Sequence, residues 1–474
     1  MKHSQSKSVF DYYGKPSFGK ALPLSFQHIL AMIMGAVTPP LIVAGVAGAN
    51  GQETMMLVQL ALLFSGISTF LQLYPVGRFG AGVPTIFGVG FAYVPSLIAV
   101  GSVYGIPGIL GAQIAGGIAM IVVGLFIKQI RHLFPPVVAG TVVLVIGLSL
   151  YDIAIKYMAG SGNTNAEGFG SGMNWLVGLT TLAVVLLCSQ FGKGYLRLAA
   201  IIVGILVGYV MSFAFGMVDF TSLHEAPWVI VPTPFAMGIE FHASAVISMV
   251  VICIVNSVQT IGDLSATTVG GMNRELKDKE LSGGLLGNGL CTLIGSIFGA
   301  LPTASFSQNV GIVAMTKVIS RYVLGIAAVF LIIAGLLPKF GAVMTTIPYP
   351  VLGGATIIVF GMITMTGIQL LVKDELSSRN ITIVALSVAL AMGINAVPEA
   401  IAQLGDTARM LIGSPVIVAA SVAFTLNMLL PRKSLQDEAR EREEIERQMN
   451  QGSGSDTAKS DSDNAQLREA NANN

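Results

Sequence analysis

Charge is what this sequence has least of: 11% of its 474 residues are Asp, Glu, Lys or Arg. No ordinary soluble domain presents so little charge to water, which excludes a water-soluble fold. Cysteine is nearly as scarce, and Cys188, Cys253 and Cys291 all fall inside apolar stretches, which excludes a disulfide framework. No His, Cys, Asp and Glu cluster has metal-ligand spacing, no phosphate-cradling loop is present, and no nucleophile stands beside a base. Enzyme, metal and cofactor readings therefore find no residues to rest on. A net charge of +1 offers nothing to nucleic acid. A cleavable leader is not expected either, because residues 1–20 are polar and the first apolar run is a full span.

What is present is apolar sequence: 53% of residues are hydrophobic, with a mean hydropathy of +0.75. Fourteen runs near the ~20 residues that cross a bilayer fall at about 26–48, 54–74, 84–100, 106–127, 136–156, 172–190, 197–218, 244–268, 282–299, 306–320, 321–338, 350–370, 380–397 and 411–430. The expected fold class is an all-α polytopic membrane protein. With the N-terminus inside, inner loops hold Arg78, Lys128, Arg131, Lys193, Arg274, Lys317, Arg321 and Lys373. Lys2 and Lys7 join them from the N-terminal tail, whereas outer loops hold only Lys156, Lys339 and Arg409. That bias puts both termini in the cytoplasm and requires an even number of spans. From Arg432 the chain turns charged and then Asn-rich, which predicts a short solvated helix followed by disorder.

The run Pro136–Gly147 echoes Pro350–Gly361 at an offset of 214 residues, and Val83-Pro84-Thr85 echoes Leu301-Pro302-Thr303 at 218. These echoes join span 5 to span 12 and span 3 to span 10. Each repeat then has seven spans, an odd number, so the second enters the bilayer inverted, an architecture found in transporters. Chance likeness between Gly- and Val-rich helices is the competing explanation. Spans 3 and 10 are also the least helical: Pro84 and Pro302 each remove a backbone donor amid Gly, Thr and Ser. Both should run extended for part of the crossing and line a cavity, because unpaired backbone is not tolerated against lipid.

Polar side chains gather at the same depth. Asn256, Gln259, Asp263 and Thr267 recur at intervals of three and four, along one face of span 8. An ionisable side chain inside a membrane marks a functional site by default; Asp263 could otherwise pair with a neighbouring helix or reach for the inner surface. Span 10 adds Ser305, Ser307, Gln308 and Asn309, whose amides suit a neutral heterocycle with N–H and C=O edges, although Asn309 could simply cap a helix. His28 reads equally as a site donor or a packing residue, and Phe91 as a stacking face or as core.

The stretch Gln308-Asn309-Val310-Gly311, followed by Thr316 and Lys317, resembles the signature of the nucleobase-ascorbate transporter (nucleobase:cation symporter-2) family at all five defined positions. Gly262-Asp263, Gln27-His28 and Ile347-Pro348-Tyr349-Pro350 reinforce the likeness, which covers about residues 15–432. The resemblance implies fourteen segments as two inverted repeats of seven, and usually a homodimer. It implies a core domain (26–134 and 241–340) and a gate domain (135–240 and 341–431), with cytoplasmic tails at 1–25 and 432–474.

Gln at the first signature position goes in that family with xanthine or uric acid. The resemblance implies that Gln308, Asn309, Gln259 and Ser307 hold the base's polar edges with Phe91 on its face. His28, Asn256, Asn288 and Thr316 would support the site. The resemblance implies Glu at the place of Gln259, commonly an acid at that of Asn288, and a polar Gln at that of Phe87, so this sequence departs from the pattern at all three. Proton symport would then have to run through Asp263. The implied function is an inner-membrane purine permease working by elevator-like alternating access. An uncoupled or sodium-coupled facilitator, a uracil permease, and an anion transporter or channel of the same architecture are the alternatives.

Overall fold

The computed structural model describes residues 10–130, 135–229, 231–431 and 434–444. The expectations for Lys2, Lys7 and Arg131, and for the tail beyond residue 444, lie outside the described residues. In chain order the first elements are α1 (Phe18–Ala47), α2 (Gly51–Leu73), β1 (Phe87–Val89), a 3-10 turn (Phe91–Tyr93), α3 (Val94–Ile130) and α4 (Pro136–Met158). Next come α5 (Gly172–Phe191), α6 (Tyr195–Leu198), α7 (Ala200–Ala214), α8 (Thr221–Glu225), α9 (Ala243–Met272) and α10 (Asp278–Phe298). The chain continues through β2 (Thr303–Ser305), α11 (Ser307–Thr316), α12 (Arg321–Leu336), α13 (Pro338–Thr345) and α14 (Tyr349–Leu371). It closes with α15 (Ser378–Ala396), a 3-10 turn (Pro398–Ile401), α16 (Asp406–Ile412) and α17 (Pro415–Leu429).

Among the described residues, nine helices are long and apolar enough to cross a bilayer, or ten if α12 and α13, bent by 81° at Leu337, count as one. Two boundaries differ from the sequence expectation. The run at 84–100 joins α3 only from Val94, and α3 kinks at Gly105 (φ 63°), just before Pro107, where its first helix gives way to a second that holds the run at 106–127. α1 begins at Phe18, eight residues before its apolar run, because a helix can continue through polar Ser17–Ser25 sequence that hydropathy places outside the bilayer.

Two sets of helices pack side by side. α4 runs antiparallel to α14 over most of its length, so that Gly147 meets Thr364 and Gly367 meets Leu144, a backbone approach that small residues permit. α5, α7, α15 and α17 surround that pair. In the other set α3 lies against α9 and α10, while α12 packs on α2 and α1.

Against α1, α2, α9 and α10 the chain is extended. β1 and β2 pair antiparallel in the register Phe87 with Ser305, Gly88 with Ala304 and Val89 with Thr303. Their backbone groups are thereby paired deep in the protein, where no water serves them. Pro84 and Pro302 disfavour helix in the residues before them, and Gly80, at φ 108°, turns the chain so closely past α2 that a Cβ would fall 2.2 Å from the Leu71 carbonyl. Gln72 on α2 fixes the approach, accepting from Ala81 N at 2.8 Å and donating to Gly284 O at 2.9 Å.

At the end of the bundle where α1 starts, residues 10–14 lie across the α11–α12 connection. Ile319 N donates to Phe10 O and Arg321 N to Tyr12 O, both at 3.0 Å. The Tyr12 hydroxyl donates to Leu73 O at 2.9 Å, and burial pushes its pKa up to about 12, so it remains a neutral donor.

Candidate functional site

A cavity of about 280 Å³ lies where the crossing strands meet α9 and α14. One wall is polar: Gln259 from α9, then Ser305, Ser307 and Gln308 at the junction of β2 and α11. Because α11 begins at Ser307, the backbone N–H groups of Ser307 and Gln308 have no intrahelical partner and give this wall partial positive charge. Phe91 supplies an aromatic face to the same cavity, held edge-on against buried Phe360 with ring centres 5.2 Å apart. Val143 and Ile146 of α4, with Met362, Ile363, Met365, Thr366 and Gln369 of α14, complete the lining.

Asp263 stands behind the polar wall. Ser305 Oγ donates to its Oδ2 at 2.5 Å and Ser307 Oγ to its Oδ1 at 2.8 Å. Hydrogen bonds to a carboxylate are among the stronger ones available, and these two tie α9 to the strand–helix junction. Gln259, one turn earlier on the same face, extends its amide towards the same carboxylate while lining the cavity. The sequence left pairing to a neighbouring helix as an alternative for Asp263, and its partners prove to be two serine hydroxyls rather than a cation.

The remaining candidates form a supporting layer. Asn309 Nδ2 lies 3.0 Å from His28 O and 3.1 Å from His28 Nδ1. A main-chain carbonyl only accepts, so the amide nitrogen must face it; Nδ1 then accepts too, and the imidazole proton sits on Nε2. His28 is 1% exposed and meets the site by way of its bonds to Asn309, whose Oδ1 has no hydrogen-bond partner among the described residues. Asn288 Oδ1 accepts from Thr303 Oγ1 at 2.7 Å and so holds β2, while fully buried Asn256 sits beside Tyr93, whose hydroxyl donates to Thr303 O. Thr316 is not brought to the cavity. It is exposed at the far end of α11 and donates to Ile312 O at 2.8 Å within its own helix.

Gln369 and Thr366 were missed by sequence reasoning. They are isolated polar residues in an otherwise apolar helix, and the one available signal was the short polar series Thr364, Thr366, Gln369. Among the described residues no three His, Cys, Asp or Glu side chains group as a metal site. Cys188, Cys253 and Cys291 are free thiols.

The sequence profile of a permease family matches residues 19–400. The uric acid permease PucK of Bacillus subtilis is 39% identical over 412 residues, covering 86% of this chain and 95% of that protein. A xanthine permease of the same organism is 37% identical over 420 residues, covering 87% and 94%. The xanthine permease XanQ of Escherichia coli is 34% identical over 445 residues, covering 91% and 95%. Among solved structures, the transmembrane domain of the cyanobacterial bicarbonate transporter BicA aligns with a TM-score of 0.53 at 14% identity, covering 86% of this chain and 98% of that one. SLC26A9 aligns with a TM-score of 0.58 at 12% identity, covering 88% and 67%. At such identities the last two speak for the fold alone.

Proposed function

Because the chain belongs to the nucleobase-ascorbate transporter (nucleobase:cation symporter-2) family of permeases, we propose that it carries an oxidised purine, xanthine or uric acid, across the cell membrane. The observation that carries this reading is the pairing of one amide-and-hydroxyl wall with one aromatic face in a single cavity. A planar base with alternating N–H and C=O edges can exchange donors and acceptors with Gln259, Gln308 and Ser307. Its face can rest on Phe91. Asn309, held by its bonds to His28, stands behind that wall and would support it rather than touch the base. Among the described residues the cavity lining contains no charged side chain, which suits a neutral base better than an inorganic anion.

The transport reading has fourteen membrane segments in two inverted repeats, with the α4–α14 set as gate and the α1–α3, α9–α12 set as core. The self-consistent strand register supports the inversion: Phe87 pairs with Ser305, its own counterpart at an offset of 218. The cavity lies between the two sets, with Gln259, Ser305, Ser307 and Gln308 on the core side and mainly apolar residues, besides Thr366 and Gln369, on the gate side, which supports elevator-like movement of one against the other. Both termini would face the cytoplasm of a bacterial-type inner membrane, and the assembly would be a homodimer. Asp263 is the proposed proton carrier: protonated, it would turn from double acceptor to donor and rearrange Ser305 and Ser307 beside the base.

Uptake of labelled xanthine, uric acid, guanine, hypoxanthine and uracil, with and without an uncoupler, tests the reading. Saturable xanthine or uric acid uptake that loses accumulation with the uncoupler is expected. Preference for uracil, or substrate-independent current, would refute the purine assignment. Gln259 has no proton to exchange at the position where the family resemblance implies a Glu. For that reason accumulation indifferent to the uncoupler would point instead to an uncoupled or sodium-coupled facilitator.

A further inference from the structure

A second cavity lies far from the first, on the outer surface of the core. It is a groove of about 390 Å³ between the starts of α1 and α12 and the end of α2. Phe18, Phe70, Tyr74, Tyr322 and Phe330 form its aromatic sides, and Gly325 leaves its floor open: a Cβ there would sit 3.2 Å from the Tyr74 hydroxyl. The lining runs along α12 from Tyr322 to Ile333, about 16 Å at ~1.5 Å per residue, parallel to the direction in which α12 would cross the bilayer. No carboxylate or amide side chain lines it, and its only polar side-chain groups are the hydroxyls of Tyr74 and Tyr322.

One end of the groove is positively charged. Arg321 is the first residue of α12, a helix with no acidic residue in its first turn. Its guanidinium lies over the rings of Tyr13, Tyr74 and Tyr12, at 4.7, 5.0 and 5.9 Å from their centres. Rings attract the cation without neutralising it, and among the described residues no carboxylate lies within ion-pair distance of Arg321. The helix N-terminus adds positive potential at the same place. Tyr74 belongs to both features, lining the groove and facing the cation, so the apolar slot and the charge are continuous.

We propose that this groove holds one anionic phospholipid, an acyl chain lying along α12 and the phosphate at Arg321. The length, apolarity and orientation of the slot match a lipid chain, and a cation ringed by tyrosines at one end matches an anionic headgroup at the interface. A neutral lipid would fill the groove but leave the arginine uncompensated.

The test is native mass spectrometry of the full chain released from nanodiscs holding equal phosphatidylglycerol and phosphatidylcholine. One phosphatidylglycerol should remain bound in preference. Arg321→Gln should lower that preference about five-fold, the factor for roughly 1 kcal/mol per basic side chain. Val329→Trp, filling the groove beside an intact arginine, should lower retention of both lipids alike. Lys193→Gln, a basic residue elsewhere, should change neither. Arg321→Lys keeps the charge and should keep most of the preference, which reads the charge even if the glutamine variant folds poorly. Equal retention of the two lipids by the unaltered protein, equal losses in Arg321→Gln and Lys193→Gln, or complete loss of preference in Arg321→Lys would overturn the proposal.

Discussion

The two short strands at the centre of the protein begin alike and end differently. Each comes just after the proline of a Pro-Thr pair, β1 three residues past Pro84 and β2 directly after Pro302; each is three residues long, and each leads into a helix, β1 by way of a 3-10 turn. β1 brings shape: Phe87 and Val89 are fully buried, a Cβ on Gly88 would come within 2.5 Å of the Phe306 ring, and Phe91 gives the cavity its aromatic side. β2 brings hydrogen-bonding groups: Ser305, Ser307, Gln308 and Asn309 either line the cavity or stand directly behind it. A pair of crossing segments need not share the chemistry of a site equally. One can set the geometry while the other carries the polar groups, and substitutions on the two should fail in different ways.

The largest effect is expected on the polar side. Asp263→Asn replaces an acceptor oxygen by a donor facing two serine hydroxyls, and active uptake should fall on the order of 100-fold because a buried network is left partly unpaired. Retained substrate-driven proton entry in proteoliposomes of this variant would remove Asp263 from the coupling. On the shape side, Gly88→Ala must push against Phe306 and Ser65, so thermal stability should drop by about 1–3 kcal/mol. The fraction that folds should bind base with unaltered affinity; a selective affinity loss at full stability would erase the contrast between the strands.

Gln259→Ala removes one amide from the cavity wall, and KM should rise about ten-fold, the equivalent of one net hydrogen bond near 1.5 kcal/mol. An unchanged KM in initial-rate uptake would place Gln259 outside the contact set. Thr316→Ala is the smallest change: it deletes one bond within α11, and uptake should stay within about two-fold. A severe defect there would mean that the signature threonine acts in a conformation other than the one described.

Much of the site was legible because polar residues in apolar runs are few and costly. Asp263, Gln259 and Gln308 stood out on that ground alone, and the Pro-Thr pairs with their Gly-rich surroundings marked where helix would give way to strand. The partner of each residue was not legible. Ser305 and Asp263 are 42 positions apart and Asn309 and His28 are 281 apart, separations at which no periodicity relates one residue to another. Thr366 and Gln369 were passed over for the same reason, since only the packing of α14 against the strand crossing makes them part of a cavity. Phe91 was equally consistent with core and with a binding face, and it is 6% exposed while lining the cavity.

The sequence by itself determined that this chain lives in a membrane, roughly where its helices run, and which side chains are too polar to face lipid. Those properties add up along a local stretch, where hydropathy and the missing proline N–H act on near neighbours. Only the tertiary structure decided which of the polar residues meet. The pairing of Phe87 with Ser305 brings together segments 218 residues apart, and one step of slippage in that register would turn every side chain of the strand to its other face.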